Sequence, residues 1–268
     1  MNAVLFDVAL TAYIVAAVSA VGSFFGRREA LTRFTLLLTQ AGWICHTLAI
    51  IARGVELRRI PILSLAEVVS VVIWAAVFFE IWVERRYDIR VLSAFVLPVV
   101  LALGLALPTG LRHLAFEPQV QSGWVVFHVA LVLVGLAALV LNFGGALMYL
   151  LQDHQLKAKR PGTLYYRLPS LETLDRLTFT TLTVAFPFLT VGLALGVFSA
   201  GRSWGSVFVY DPLALFSIVM WLVYAATLAG RAVGRWRGRR AAYFAIVGFC
   251  ALLLTLGAGV LFQGRHGS

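Results

Sequence analysis

The sequence predicts an all-α fold, a polytopic membrane bundle of about eight transmembrane helices that forms one integral-membrane domain over residues 1–268. Hydrophobic residues make up 61% of the chain and charged residues only 13%. The mean hydropathy is +0.91, which excludes an ordinary soluble domain. The apolar residues also fall into runs of roughly 20, the length at which a helix crosses a bilayer core.

These runs define the helices in chain order, because lipid offers no partner for a free backbone amide or carbonyl group. No basic residue precedes the first run, and no cleavage site is convincing, so we expect a retained helix and not a cleaved signal. The longest loop, 152–176, contains Ser170, which is expected to cap the sixth helix. The runs lie near residues 3–25, 35–52, 63–83, 91–110, 124–151, 177–200, 213–230 and 241–262.

The basic residues orient the predicted helices. Most of the 22 Lys and Arg residues fall in the first, third, fifth and seventh loops. By the positive-inside rule those loops belong in the cytoplasm, and both termini then lie outside. The net charge of +10 is balanced by anionic lipids at the span ends, so nucleic acid is not an expected partner.

The sequence lacks the motifs of several common kinds of protein chemistry. Cys45 and Cys250 fall inside predicted spans and form no CxxC or CxxCH pattern, so thiol exchange and covalent cofactor attachment are not expected. The chain contains no GxxxxGK[ST], HExxH or GxSxG sequence, and no catalytic residue is predicted. A small-solute permease has little support, because the polar groups of the spans are chiefly Asn142 and, nearer the span ends, Glu67 and Glu80.

The loop between the sixth and seventh spans is unusually aromatic. It holds Trp204, Phe208 and Tyr210 and ends with Asp211 before a proline. Together with Trp124, which the topology places at the same level, these rings suggest a flat apolar surface for a ligand. Asp211 is also a candidate N-cap of the seventh helix. An interfacial aromatic belt is the alternative interpretation.

Three histidines converge on the outer side of the predicted topology. His46 lies in the outer half of the second span, His128 near the outer end of the fifth, and His266 just after the eighth. Neutral imidazole is a common ligand of haem iron, and a porphyrin needs apolar and aromatic walls. These residues predict a haem site with His128 and His266 as the ligand pair. The alternatives are interhelical hydrogen bonds for His46 and His128 and a frayed tail for His266.

At these residues the chain resembles the cytochrome c assembly family, the haem-handling membrane proteins of the CcsA and CcmC type. The family's signature, approximately WGxxWxWDPxE, stands here as Trp204-Gly205, Phe208 and Tyr210-Asp211-Pro212. Phe208 and Tyr210 replace two signature tryptophans, and the acid that follows the signature's Asp-Pro is missing. The size and the degenerate signature resemble the HemX/YpjD-like branch most closely.

The resemblance extends beyond the loop. Pro61, Ser64 and Glu67 resemble a PxSxxES stretch of the family, and His128 and His266 match histidines on either side of the signature. The family's histidine late in the seventh span is absent, since this chain has residues 228–231, Leu-Ala-Gly-Arg, there.

The resemblance implies a haem-handling subunit of c-type cytochrome biogenesis in a bacterial cytoplasmic membrane. Haem b would be held non-covalently by His128 and His266, with His46 as a second or replacement ligand, beside the loop from Trp204 to Asp211. The implied partners are an apocytochrome c and a second membrane subunit of a haem lyase or synthase complex. The alternative is a HemX-like regulator that binds an early haem-biosynthesis enzyme through loop 152–176.

Overall fold

The computed structural model describes residues 3–26, 29–62, 64–105, 123–158, 162, 165–204, 212–233 and 236–263. Within these ranges the chain forms eight α-helices. They are α1 (Ala3–Gly26), α2 (Glu29–Leu57), α3 (Leu65–Tyr87), α4 (Ser93–Leu105), α5 (Gly123–Lys157), α6 (Leu171–Trp204), α7 (Pro212–Ala232) and α8 (Arg239–Gln263).

The helices confirm the predicted all-α membrane bundle. All of them except α4 are long and apolar enough to cross a membrane. The helix α4 has 13 residues, which corresponds to about 20 Å. It is the described part of the fourth predicted span, and residues 106–122 lie outside the described residues.

Several helices extend beyond the apolar runs that predicted them. The helix α6 begins at Leu171, ahead of the predicted start at residue 177, because the Ser170 hydroxyl accepts a hydrogen bond of 3.3 Å from the Thr173 amide. This confirms the cap expected at Ser170. At the end of α5 the Lys157 ammonium group donates to Asp153 at 2.7 Å. Hydropathy therefore marks the lipid-crossing part of a helix, whereas capped and paired polar turns add to its ends.

The helices form two groups of four. In the N-terminal four-helix group, α1 and α3 each pack against α2 and α4. In the C-terminal four-helix group, α5 and α7 each pack against α6 and α8. The helix α5 also contacts α3 and α4 and thereby joins the two groups.

The basic loops meet at one end of the bundle, here called the basic end. The Arg167 guanidinium donates to the Ser23 carbonyl oxygen at 2.7 Å, which connects the fifth loop to the end of α1. Residues 87–91 and 167–170 line a shared cavity of about 350 Å³. These contacts place the end of α1, the third loop and the fifth loop on the same side of the bundle.

An ion pair fixes the seventh loop to the start of α6 at the basic end. Arg231 and Asp175 are 2.9 Å apart, and the Arg231 side chain is only 6% exposed. The second Asp175 oxygen accepts a hydrogen bond of 2.9 Å from the Gly238 amide. Gly238 has φ of +67°, a left-handed conformation that favours glycine. Arg231 stands in the stretch where the family resemblance leads one to expect a histidine.

Candidate functional site

The opposite end of the bundle holds both described candidate ligands and is called the histidine end, after His46 and His128. Here α5 and α6 approach closely at Gly192 and Gly196 of α6. A Cβ atom at Gly192 would lie 2.7 Å from Val132 Cγ2, so only glycine permits this separation. Small residues at a spacing of four are typical of tightly packed membrane helices.

The close approach positions His128. Its Nδ1 donates to the Gly192 carbonyl oxygen at 2.5 Å. A carbonyl oxygen only accepts, so the proton of the neutral ring is on Nδ1 and Nε2 carries a free lone pair. The ring also lies against Gly196, where a Cβ atom would come within 2.8 Å of His128 Cε1. The imidazole is therefore fixed in orientation and in tautomer.

Aromatic rings surround this end of α5 and α6. Trp124 packs edge-on against Phe198, with ring centroids 6.1 Å apart and an angle of 71°. Gly123, Trp124 and Phe127 line a shallow apolar depression of about 330 Å³. Trp124 lies one helical turn before His128, on the same side of α5. The structure thus brings together two predicted site residues, Trp124 and His128.

His46 is enclosed within the N-terminal four-helix group and only 1% exposed. Its Nε2 is 2.9 Å from the Ser70 hydroxyl, and its Nδ1 is 3.4 Å from the Tyr13 hydroxyl. The Phe6 ring packs edge-on against the imidazole, with centroids 5.4 Å apart. Because both ring nitrogens are engaged, ligation of a metal by His46 requires the loss of one of these hydrogen bonds.

The remaining predicted site residues fall largely outside the described residues. Phe208, Tyr210, Asp211 and His266 all do. Trp204 is the last residue of α6, and only its place in the helix is described. The helix α7 begins directly after Asp211. The roles assigned to these residues stay predictions.

The PxSxxES-like stretch forms the start of α3. Ser64 and Glu67 make a capping box, in which each side chain binds the other's backbone amide. Glu67 also pairs with Arg59 at 3.0 Å and lies 3.6 Å from Arg53. This motif therefore fixes the turn between α2 and α3 through a buried carboxylate with cationic partners.

Sequence reasoning missed part of the site. The close contact of Gly192 and Gly196 with α5 was not predicted, although a G-x-x-x-G spacing in an apolar helix signals such packing. Phe127 and Phe198 were not distinguished from other apolar residues of their spans, because hydropathy does not indicate which helices become neighbours.

The regulatory alternative relies on loop 152–176, and the described part of this loop contacts the chain itself. Arg167 binds the backbone of α1 at Ser23. Lys157 pairs within its own helix with Asp153, while Lys159 and Arg160 lie outside the described residues. Two charged groups of this loop, Arg167 and Lys157, therefore already have partners within the chain.

The chain matches the family model described as cytochrome C assembly protein over residues 62–266. It is 30% identical over 245 residues to the cytochrome c biogenesis protein CcsA of Guillardia theta, covering 83% of this chain and 81% of that protein. It is 31% identical over 265 residues to the CcsA protein of Parasynechococcus marenigrum, covering 89% and 87%. The CcsA protein of Pyropia yezoensis is 26% identical over 277 residues, covering 88% and 87%. The chain therefore belongs to the cytochrome c assembly protein family.

Proposed function

We propose that this chain is a haem-handling membrane protein of c-type cytochrome biogenesis, which holds haem b non-covalently at the histidine end. The observation that carries the proposal is the His128 imidazole, whose Nδ1 is bound to the Gly192 carbonyl oxygen. The cytochrome c biogenesis proteins to which the chain is similar support the same process.

The residues at this end fit haem. Porphyrin supplies four ligands to its iron, so the protein needs to add only one or two. A histidine whose Nδ1 donates to a backbone carbonyl presents Nε2 as a neutral ligand of fixed orientation. When bound, haem supplies the redox chemistry of its iron, and the protein supplies orientation and ligation.

The aromatic residues form the apolar wall of the proposed site. Trp124 and Phe127, which precede His128 within about one turn of α5, line a shallow apolar depression, and Phe198 packs against Trp124. The loop from Trp204 to Asp211 joins the end of α6 to the start of α7, and we assign it the role of covering the porphyrin. Aromatic faces exclude water and stack on a planar ring system.

His266 is the proposed partner ligand. The helix α8 ends at Gln263, three residues before it in the sequence. His46 is the second or replacement ligand, because its imidazole must first give up a hydrogen bond to Ser70 or Tyr13. The chain itself carries out no catalytic step in this proposal, and haem passes to an apocytochrome c with the help of a second membrane subunit.

The orientation of the bundle follows from charge. The basic end carries most of the Lys and Arg residues, so we assign it to the cytoplasmic side of a bacterial cytoplasmic membrane, beside anionic lipids. The histidine end then faces the periplasm, where c-type cytochromes receive haem.

The first experiment is the absorption spectrum of the detergent-purified protein, oxidised and dithionite-reduced, with a pyridine haemochrome assay. We expect a Soret band, sharp reduced bands and about one haem per chain, as in bis-histidine ligation. Absence of haem after expression with added precursor would overturn the proposal and favour the regulator, whose test is co-purification of a cytoplasmic enzyme.

The histidines supply matched variants for the same spectrum. His128→Ala and His266→Ala should each shift or remove the Soret band, because each removes an axial ligand. His113→Ala and His154→Ala should leave it unchanged. Equal spectra for all four variants would rule out the ligand assignment.

A further inference from the structure

Two carboxyl groups are buried inside the N-terminal four-helix group. Glu80 is fully buried and Glu84 is 5% exposed. They lie four residues apart on α3, so their side chains are neighbours on one face of the helix. Carboxyl groups inside a membrane span are costly and are usually functional. Neither group belongs to the histidine end.

Among the described residues, the surroundings of the pair supply a hydroxyl group but no buried cation. Ser93, on α4 and only 1% exposed, lies next to both carboxyl groups. Both oxygens of Glu80, one oxygen of Glu84 and the Ser93 hydroxyl find no hydrogen-bond partner among the described residues other than one another. The single Ser93 hydroxyl proton is too few for the three carboxyl oxygens. Four buried polar atoms at one point thus have unused hydrogen-bonding capacity, which a bound proton would fill.

The other charged and titratable groups near the pair are few among the described residues. Tyr13 approaches Glu80 from α1, and Asp88 and Arg90 approach Glu84 from the turn between α3 and α4. Arg90 is 56% exposed and bound to Asp88 at 2.9 Å. The hydrogen bond to Asp88 is the largest cause that raises the pKa of this guanidinium, and the attraction to Glu84 is a smaller one. Arg90 is therefore mainly the partner of Asp88 at the surface.

Two carboxylates one helical turn apart in an apolar interior repel each other and lack solvation, so they do not both ionise. We propose that Glu80, Glu84 and Ser93 form a proton-binding site that holds at least one exchangeable proton at neutral pH. A protonated carboxyl group donates one hydrogen bond, and the neighbouring carboxyl or hydroxyl oxygen accepts it. Transfer within the pair breaks the O–H bond on one carboxyl group and forms it on the other.

The position of Glu80 and Glu84 on α3 indicates the route by which protons reach them. Glu84 lies one turn before the end of α3, and Tyr87, Asp88 and Arg90 line the cavity of about 350 Å³ at the basic end. Glu80 lies one turn deeper. Protons therefore exchange with the basic end, reaching Glu84 first and Glu80 through it.

The test labels the protein in lipid nanodiscs with dicyclohexylcarbodiimide. This apolar reagent adds to protonated carboxyl groups. Mass spectrometry should find the label on Glu80 or Glu84 at neutral pH, with a loss of labelling as the pH is raised. Glu172, exposed in the first turn of α6, serves as the matched control, and Glu172→Gln should leave the labelling of the pair unchanged.

Infrared spectroscopy gives a second readout that does not depend on the reagent. The wild-type protein should show the carbonyl stretch of a protonated carboxylic acid, shifted in D₂O, and Glu80→Gln or Glu84→Gln should reduce it. Absence of both the band and the label at neutral pH would overturn the proposal. Protection of the pair by sodium ions at constant pH would also overturn it, in favour of a metal-cation site.

Discussion

The two described histidines of the spans show how the same side chain serves different purposes in the two halves of the molecule. His46, in the N-terminal four-helix group, is 1% exposed and has a hydroxyl group near each ring nitrogen. His128, in the C-terminal four-helix group, is half-buried and gives one nitrogen to a backbone carbonyl. Both imidazoles join helices, but His128 keeps one ring nitrogen without a hydrogen bond to the described residues, as the proposed ligand role requires.

The two groups also place their buried polar atoms differently. In the N-terminal group, Glu80 and Ser93 lie inside with unused hydrogen-bonding capacity. In the C-terminal group, the Asn142 amide donates to the Thr178 carbonyl oxygen at 2.6 Å, while Asn142 Oδ1 and the Tyr224 hydroxyl are buried with unused capacity. Among the described residues, the N-terminal group thus buries carboxyl groups in its interior, whereas the C-terminal group buries amide and hydroxyl groups there and has its principal ion pair at the basic end.

The largest effect on stability is expected at the basic end of the C-terminal group. Arg231→Ala removes the charged partner of Asp175 and leaves, among the described residues, the Gly238 amide bound to this carboxylate. It should lower the free energy of unfolding by about 2 to 3 kcal/mol. Arg33→Ala is the matched control, because Arg33 and Glu29 form an exposed pair at 76% and 67% exposure. Detergent-based unfolding titrations measure both, and equal effects would show that the Arg231 pair contributes no more than an exposed one.

Gly196→Val should affect both stability and ligand binding in the C-terminal group. The added side chain meets the His128 ring, so we expect a loss of about 2 kcal/mol from overpacking and a displaced Soret band. Gly22→Val is the control, since a Cβ atom there meets nothing within 4 Å. A Gly196→Val protein with the wild-type spectrum would contradict the role of this glycine in fixing the imidazole.

His46→Leu tests the role of the histidine in the N-terminal four-helix group. The variant leaves the Ser70 and Tyr13 hydroxyl groups without their shared partner, which should cost about 1 to 2 kcal/mol of unfolding free energy. The haem spectrum should change much less than in His128→Ala. If His46→Leu removes the Soret band completely, His46 is a primary ligand and the distinction between the two histidines fails.

The smallest expected effect concerns the two helix caps. Ser64→Ala breaks the capping box with Glu67 and should lower the unfolding free energy by about 1 kcal/mol. Ser170→Ala removes an exposed cap of α6 and should have a smaller effect. Thermal unfolding of the two variants compares them directly, and a larger loss for Ser170→Ala would show that burial does not strengthen the Ser64 cap.

Hydropathy and charge predicted the helices well, because the length of an apolar run and the side on which arginines collect are local properties. The position of His128 one turn after Trp124 is also local. The hydrogen bonding of each imidazole is not a local property, because it depends on a residue of a neighbouring helix. That residue is Gly192 for His128 and Ser70 for His46. Glu84 and Ser93 escaped notice for the same reason, because their burial follows from how α3 and α4 pack.

The contacts of α6 with its neighbours position the aromatic loop. Its ties to α7 lie at the basic end, through Arg231 and Asp175, and further along, where the Trp221 indole donates to the Thr190 hydroxyl at 2.9 Å. From Thr190 to Trp204, α6 continues for roughly 20 Å, and the contacts described in this segment join it to α5 at Gly192, Gly196 and Phe198. The start of the aromatic loop is therefore positioned by the packing of α6 on α5, the same packing that fixes the His128 ring.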